Sequence, residues 1–215
     1  MVLKAVIFDL DGTLIDNEGV YDRAFCHVLK GLGISCEELK HIPGIGVKEN
    51  WVKMKQNLGL EEDPQDLAAQ TQEFYLQHLS EIKVRDGLRE LIHYLKSKGI
   101  KIILATSNTA QIGSNVLQAI KIDHHFESKT FGDEVTRKKP APDLFLKAME
   151  KENLDPKRIV IIEDSPSGVE AAKAAGAKVI AIKTDWATRS QLYRADKIAN
   201  SFYQINNLLK RGWPN

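Results

Sequence analysis

Apolar residues run without interruption from Ala5 to Phe8 and stop at Asp9. A short run of this kind, with Val and Ile in it, predicts a strand buried on both faces of a parallel sheet. The period then changes. Val20, Tyr21, Ala24, Phe25, Val28, Leu29 and Leu32 recur at helical spacing up to Gly33, and Trp51, Met54 and Leu58 do so up to Gly59; each set marks the inner face of an amphipathic helix. Pro64 opens a further stretch through Leu67, Phe74 and Leu79, and no strand-like run occurs between Ile15 and Ile82. Helical stretches in succession, four on this reading, exceed a usual crossover between parallel strands. Residues 16–82 are therefore expected to form a separate cap domain, tied on through short segments at Ile15 to Asn17 and Lys83 to Asp86.

Beyond Asp86 the chain alternates. Leu88, Leu91, Ile92 and Leu95 form a helical face closed by Gly99, and Ile100 to Ala105 reads as a strand. Ile112, Val116, Leu117 and Ile120 mark another helix, Phe126 to Phe131 a strand, and Leu144, Phe145, Ala148 and Met149 a helix starting near Pro142. Arg158 to Ile162 is a strand, Pro166 to Ala175 a helix ended by Gly176, Lys178 to Ile182 a strand, and Ile205, Leu208 and Leu209 lie in a closing helix. Regular alternation with short connections predicts an α/β domain built on a doubly wound parallel sheet, formed by residues 1–15 and 83–215.

Composition narrows the function classes. With 215 residues, 43% of them hydrophobic, the chain can bury a full core and carry a smaller insertion. Thirty basic residues against twenty-nine acidic ones leave a formal net charge of +1, and no basic block is long enough for a nucleic-acid stripe or a membrane anchor. The first strand begins at once, with no signal-like segment and no long apolar span, so the cytoplasm is the expected compartment. Cys26 and Cys36 belong to no C-x-x-C or Cys/His ligand set and read as ordinary thiols.

In an open parallel sheet, the residues just past the carboxyl ends of the strands meet in one crevice, where ligands bind. Four such ends carry chemistry here. The first is Asp9-Leu10-Asp11-Gly12-Thr13, two carboxylates that oppose each other's ionisation unless a cation or a bound proton relieves them. The second is Thr106-Ser107-Asn108, whose hydroxyls and amide suit a phosphate oxygen, or else cap the next helix. The third is Lys139 before Pro140, which restrains the lysine toward an extended path. The fourth is Glu163-Asp164, two further carboxylates that would repel Asp9 and Asp11 without a divalent cation among them. Oxygen ligands of this type suit Mg²⁺.

These four segments, Asp9 to Thr13, Thr106, Lys139 to Phe145 (Lys-Pro-Ala-Pro-Asp-Leu-Phe) and Glu163 to Gly168 (Glu-Asp-Ser-Pro-Ser-Gly), resemble in order the four motifs of haloacid-dehalogenase-like phosphohydrolases. The likeness is to the branch with a helical cap, which holds small phosphatases and β-phosphoglucomutases. It implies a Rossmann-like core with an inserted all-helical cap, and a small phosphorylated metabolite, such as a sugar phosphate, as the partner of a monomeric enzyme. It further implies that Asp9 attacks phosphorus to form an aspartyl-phosphate and that Asp11 is the acid/base. Thr106 and its neighbours Ser107 and Asn108 would bind the phosphoryl group, and Lys139 would neutralise nucleophile and phosphate together. Mg²⁺ would be held by Asp9, the backbone carbonyl of Asp11 and Asp164, with Glu163 assisting.

Two alternatives stand beside phosphate hydrolysis. In a β-phosphoglucomutase a sugar accepts the phosphoryl group, but such sequences place a histidine where this chain has Tyr21. A catalytically silent phosphate-binding protein would be expected to lack one of Asp9, Asp11, Lys139 or Asp164, and all four are present. The segment His41 to Trp51 is either a specificity loop, with Lys48 and Trp51 as candidate contacts, or a plain helix connector.

Overall fold

The computed structural model describes residues 2–213; Met1, Pro214 and Asn215, at the ends of the expected core, lie outside the described residues. In chain order, β1 (Ala5–Phe8) and β2 (Ile15–Asp16) precede α1 (Glu18–Gly31), α2 (Val47–Leu58) and α3 (Pro64–Gln77). Then come β3 (Lys83–Val84), α4 (Leu88–Ser97), β4 (Lys101–Ala105), α5 (Ala110–Ala119), β5 (Ser128–Thr130) and α6 (Asp143–Lys151). The chain finishes with β6 (Ile159–Glu163), α7 (Pro166–Ala174), β7 (Lys178–Ile182), β8 (Lys197–Ala199) and α8 (Phe202–Lys210).

The six longer-range strands form one parallel sheet in the order β5-β4-β1-β6-β7-β8. The chain winds outward from β1 on one side, returns to β6 on the other, and so reverses direction between β1 and β6, where a doubly wound sheet opens its ligand crevice. β1 lies at this reversal, with Ile7 opposite both Ile103 and Ile161. Its side chains alternate between two cores. Val6 and Phe8 face α4, α5 and α8, while Ala5 and Ile7 face α6 and α7. Both faces are covered, which is why the run is continuously apolar. β8 escapes periodicity because it is a three-residue edge strand of the sequence Lys-Ile-Ala.

β2 and β3 pair antiparallel, Ile15 with Val84 and Asp16 with Lys83. This two-stranded ribbon carries the helical cap formed by α1, α2 and α3. The cap has three α-helices rather than four helical stretches; Cys36–Glu38 and Leu79–Glu81 are single 3-10 turns. α3 lies against both α1 and α2, and the Trp51 indole donates to Thr71 Oγ1 at 2.8 Å. Tyr75 is the fully buried aromatic of α3. Phe74 is half-buried against the same core and packs between the rings of His27 and His78, with centroids 4.8 and 4.0 Å away. No helix among the described residues is long and apolar enough to cross a membrane.

The reading of Cys26 and Cys36 as separate thiols is corrected by the fold: the two form a disulfide, with Cα atoms 5.0 Å apart. Spacing did not reveal it because the chain reverses at Gly33, which takes a positive φ of 74°, and lays the next turn back on α1. Purified without reductant, the protein is expected to show no free thiol in a denaturing thiol titration. Reduction should lower its stability by roughly 2–4 kcal/mol, measured by urea unfolding. Two free thiols in the unreduced protein would contradict the pairing.

Candidate active site

The loop after β1 continues the ladder, with the Asp9 amide donating to Ile162 O at 3.0 Å. Asp9 is thereby fixed between β1 and β6. Gly12 then turns at φ 71°, and a side chain there would collide with Asp164, whose Oδ2 would lie 2.0 Å from the added Cβ. The close approach of the first and fourth strand ends thus requires glycine. Arg85, just past β3, donates from Nε to Gly12 O at 2.6 Å and pins the same turn.

Three buried groups meet beneath Asp9. Lys139 Nζ donates to Asp9 Oδ1 at 2.6 Å and to Glu163 Oε1 at 2.5 Å. Glu163 Oε2 accepts from the amides of Asp164 and Ser165 and from Ser165 Oγ, at 2.8, 2.7 and 2.9 Å. Both Glu163 oxygens are therefore committed to holding Lys139 and the following loop. Removing one member of a buried ion pair typically costs roughly 3–5 kcal/mol, because the other charge is left uncompensated. Lys139 is consequently part of the scaffold of this end of the sheet as well as of its chemistry.

Asp164 Oδ1 accepts from Thr13 Oγ1 at 2.9 Å, whereas its Oδ2 is buried without a hydrogen-bond partner. Oxygens of Asp9, Glu163 and Asp164 all lie within 4.8 Å of one another. A bare buried carboxylate oxygen beside two other carboxylates is costly as it stands, and a hard divalent cation with oxygen ligands fits it. The electrostatics agree. Burial pushes Asp9 up to about 8; Lys139 opposes this, while Glu163 and Asp11 reinforce it. Asp164 is raised by burial first, then by Glu163 and Asp9. Burial would lower Lys139, but Asp9 and Glu163 outweigh it and hold the ammonium above its usual value.

Asp11 sits differently. Its Oδ1 accepts from Asn17 Nδ2 at 2.6 Å and its Oδ2 from Asn108 Nδ2 at 2.7 Å. Burial raises it to about 6, against the lowering influence of these two amides. Asn17 also donates to Tyr75 Oη at 2.7 Å and accepts from the Gly12 amide at 3.2 Å. Tyr21 donates to Asn108 Oδ1 at 3.3 Å and stacks on Tyr75 with centroids 4.2 Å apart. Burial holds both phenols protonated, so Tyr21 acts as a neutral donor to Asn108 and Tyr75 as a neutral acceptor for Asn17. Asp11 is thus clasped by residues from the core, the start of α1 and, through Asn17, α3.

The second strand end reaches the same place. Thr106 is buried beside Asp9's strand, its amide donating to Thr130 O and its Oγ1 accepting from the Asn108 amide at 3.2 Å. Ser107 Oγ contacts Gly44 O at 3.4 Å. Between cap and core lies a cavity of about 50 Å³ bordered by Asp9, Asp11, Ser107 and Asn108 below and by Glu18 and His41 above, enough for a few waters. Its roof is the loop before α2. Asn50 ties that loop, accepting from the Ile42 amide at 2.5 Å and donating to Ile42 O and Gly46 O at 2.9 and 2.8 Å. Gly44 lies so close to the core that a Cβ would meet Ser165 Oγ at 2.7 Å.

All the candidate site residues, Asp9, Asp11, Thr106, Ser107, Asn108, Lys139, Glu163 and Asp164, are gathered at this one end of the sheet. The proposed loop contacts are not: Lys48 is exposed and Trp51 is buried inside the cap. Sequence reasoning missed Asn17, Glu18 and Tyr75; His41 and Asn50 lie in the candidate loop His41 to Trp51, which does border the cavity, but were not singled out within it. A polar Asn-Glu pair opening α1 directly after the first motif was the one available signal.

A family model described as haloacid dehalogenase-like hydrolase matches residues 6–182. The chain is 35% identical over 177 residues to the phosphorylated carbohydrates phosphatase of Thermotoga maritima, covering 81% of this chain and 82% of the relative. It is 32% identical over 222 residues to protein CbbY of Rhodobacter capsulatus, covering 97% and 95% respectively. A crystal structure of a CbbY variant from Rhodobacter sphaeroides in complex with xylulose-(1,5)bisphosphate matches with a TM-score of 0.83 at 26% identity, over 94% of this chain and 95% of that one.

Proposed function

The chain belongs to the haloacid dehalogenase-like hydrolases, and from that premise we propose that it is a phosphatase acting on a small phosphorylated metabolite, a sugar phosphate, through an aspartyl-phosphate. The observation that carries this reading is the convergence of Asp9, Asp11, Lys139 and Asp164 beneath one cavity. Asp9 supplies the nucleophile: its carboxylate oxygen bonds to phosphorus as the ester oxygen leaves. Asp11 gives its proton to that leaving alkoxide and then takes one from the water that cleaves the acyl phosphate, so its carboxyl returns to its starting state. Lys139 offsets the charge of Asp9 and the phosphate together, and Thr106, Ser107 and Asn108 offer hydrogen bonds to the phosphoryl oxygens.

Mg²⁺ would be held by Asp9, Asp164 and the Asp11 carbonyl, where it supplies positive charge against the repulsion between phosphate and carboxylate. Glu163, with both oxygens committed, serves to hold Lys139. In this reading residues 16–82 are the cap and residues 1–15 and 83–215 the core, the cap moving on the β2–β3 ribbon to admit substrate and exclude bulk water.

The reading is tested by incubating the pure protein and Mg²⁺ with a panel of phosphorylated sugars and polyols, assaying free phosphate and, separately, isomerised sugar phosphate. Free phosphate is expected as the main product, since Tyr21 occupies the histidine position of the mutases and is bound to Asn108. Faster conversion of β-glucose 1-phosphate to glucose 6-phosphate than any phosphate release would reverse the assignment.

A second expectation concerns the metal. At free Mg²⁺ 100-fold above its Kd, binding stabilises the fold by about 2.7 kcal/mol, which for a chain of this length raises Tm by roughly 5–10 °C. Asp164→Asn should remove most of that shift. Equal Tm values in Mg²⁺ and in chelator for the unaltered protein would count against the site.

A further inference from the structure

The wall of the cavity that faces a leaving group is contributed by the cap, and its charge is one-sided. No lysine or arginine lines the cavity, whereas Glu18 does, together with His41, Tyr21 and Phe25. The side-chain donors on that wall are already engaged. His41 lies over the Phe25 ring at 5.0 Å, and its two ring nitrogens face Glu18 Oε2 at 3.1 Å and Asp22 Oδ1 at 3.2 Å. Carboxylates only accept, so the His41 Nε2–H donates to Glu18 Oε2 while Nδ1 faces the Asp22 carboxylate. The Asn50 amide is committed to the loop backbone, and the Tyr21 hydroxyl to Asn108. Glu18 Oε1 is left with no protein partner among the described residues while its Oε2 is held by His41.

Resting on the phosphatase reading, we infer that the leaving group accepted by this cavity is neutral and hydroxylated, a sugar or polyol bearing a single phosphate, and that Glu18, set in place by His41, is the residue that reads its hydroxyls. A free carboxylate oxygen beside the acid/base Asp11 accepts hydrogen bonds from hydroxyls and repels a second phosphate. His41 is a positioning residue. Its imidazole is sandwiched between Glu18 and Asp22 and cannot turn to an anion without releasing one of them.

The experiment compares kcat/KM for sugar monophosphates and the matching bisphosphates, glucose 6-phosphate with glucose 1,6-bisphosphate and ribulose 5-phosphate with ribulose 1,5-bisphosphate. p-Nitrophenyl phosphate serves as a reference without hydroxyls. The better monophosphate is expected to exceed its bisphosphate by roughly 100-fold, the penalty of juxtaposed like charges. Glu18→Gln should lower the ratio of monophosphate to p-nitrophenyl phosphate by about 10-fold or more, the value of a hydrogen bond to a charged group, and should narrow the gap to the bisphosphate. His41→Ala should raise KM for the monophosphate more than it lowers kcat, and His41→Gln, which keeps a donor, should recover part of that loss. A bisphosphate turned over as well as or better than its monophosphate, or ratios unmoved in Glu18→Gln, would overturn the inference while p-nitrophenyl phosphate hydrolysis left the phosphatase reading standing. Phosphate release from none of these compounds would overturn both.

Discussion

Asp9→Asn is expected to abolish phosphate release, by on the order of 10⁶-fold as for other enzymes stripped of a covalent nucleophile, and to leave no phosphoenzyme detectable by mass spectrometry. The replacement is nearly isosteric and can still accept from Lys139, whose second bond to Glu163 is untouched. The fold should therefore persist. Its pH response should also change in a direction that can be worked out. Asp9 rises from its ordinary value of 3.8 to about 8 in the folded chain. Between those two values the folded state keeps a proton that the unfolded state has shed, so without metal this group's contribution to stability falls as pH rises through that window. Asparagine has no such proton. In chelator, the Tm of Asp9→Asn should decline less from pH 5 to pH 8 than that of the unaltered protein. Persistent turnover in this variant, or phosphate found on another carboxylate, would remove Asp9 from the nucleophile's role.

Asp11→Asn is expected to lower turnover of an alkyl phosphate by roughly 10²–10⁴-fold, the range that general acid–base catalysis contributes. Formation of the aspartyl-phosphate needs Asp11 protonated and its hydrolysis needs Asp11 ionised. With the carboxyl raised to about 6, the first step weakens above that pH and the second below it. With Mg²⁺ present to keep Asp9 ionised, turnover should peak near there, and the asparagine variant should lose the peak. An aryl phosphate, whose leaving group needs little protonation, separates the two steps: formation suffers less than breakdown, so Asp11→Asn should accumulate phosphoenzyme from p-nitrophenyl phosphate. If no phosphoenzyme built up while turnover fell, Asp11 would not be the base of the second step.

Asn17 bears on both predictions, since it holds Asp11 at 2.6 Å and belongs to the first residues of the cap. It ties the orientation of the acid/base to the placement of α1 and, through Tyr75, of α3. Neither asparagine nor tyrosine stands out by residue type in the sequence, because each is as common at a helix start or on a helix face as in a site.

The chain's own order of residues determines whatever depends on near neighbours and on period. The apolar run at Ala5 to Phe8, the helical spacing through Val20 to Leu32 and the alternation after Asp86 specify strands, helices and a parallel sheet, because burial on one or two faces imposes a period that composition must follow. Polar residues at four strand ends are legible for the same reason: once the sheet is parallel and doubly wound, its topology brings those ends together. Tertiary structure alone decided the rest. Which oxygen of Glu163 holds Lys139, that Asp164 Oδ2 stays bare, that Cys26 meets Cys36, and that Glu18 and His41 rather than Lys48 and Trp51 border the cavity are matters of side-chain distance between different segments of the chain. No local period encodes such distances. They are set by how the cap's three helices pack on one another and where the β2–β3 ribbon seats them over the sheet.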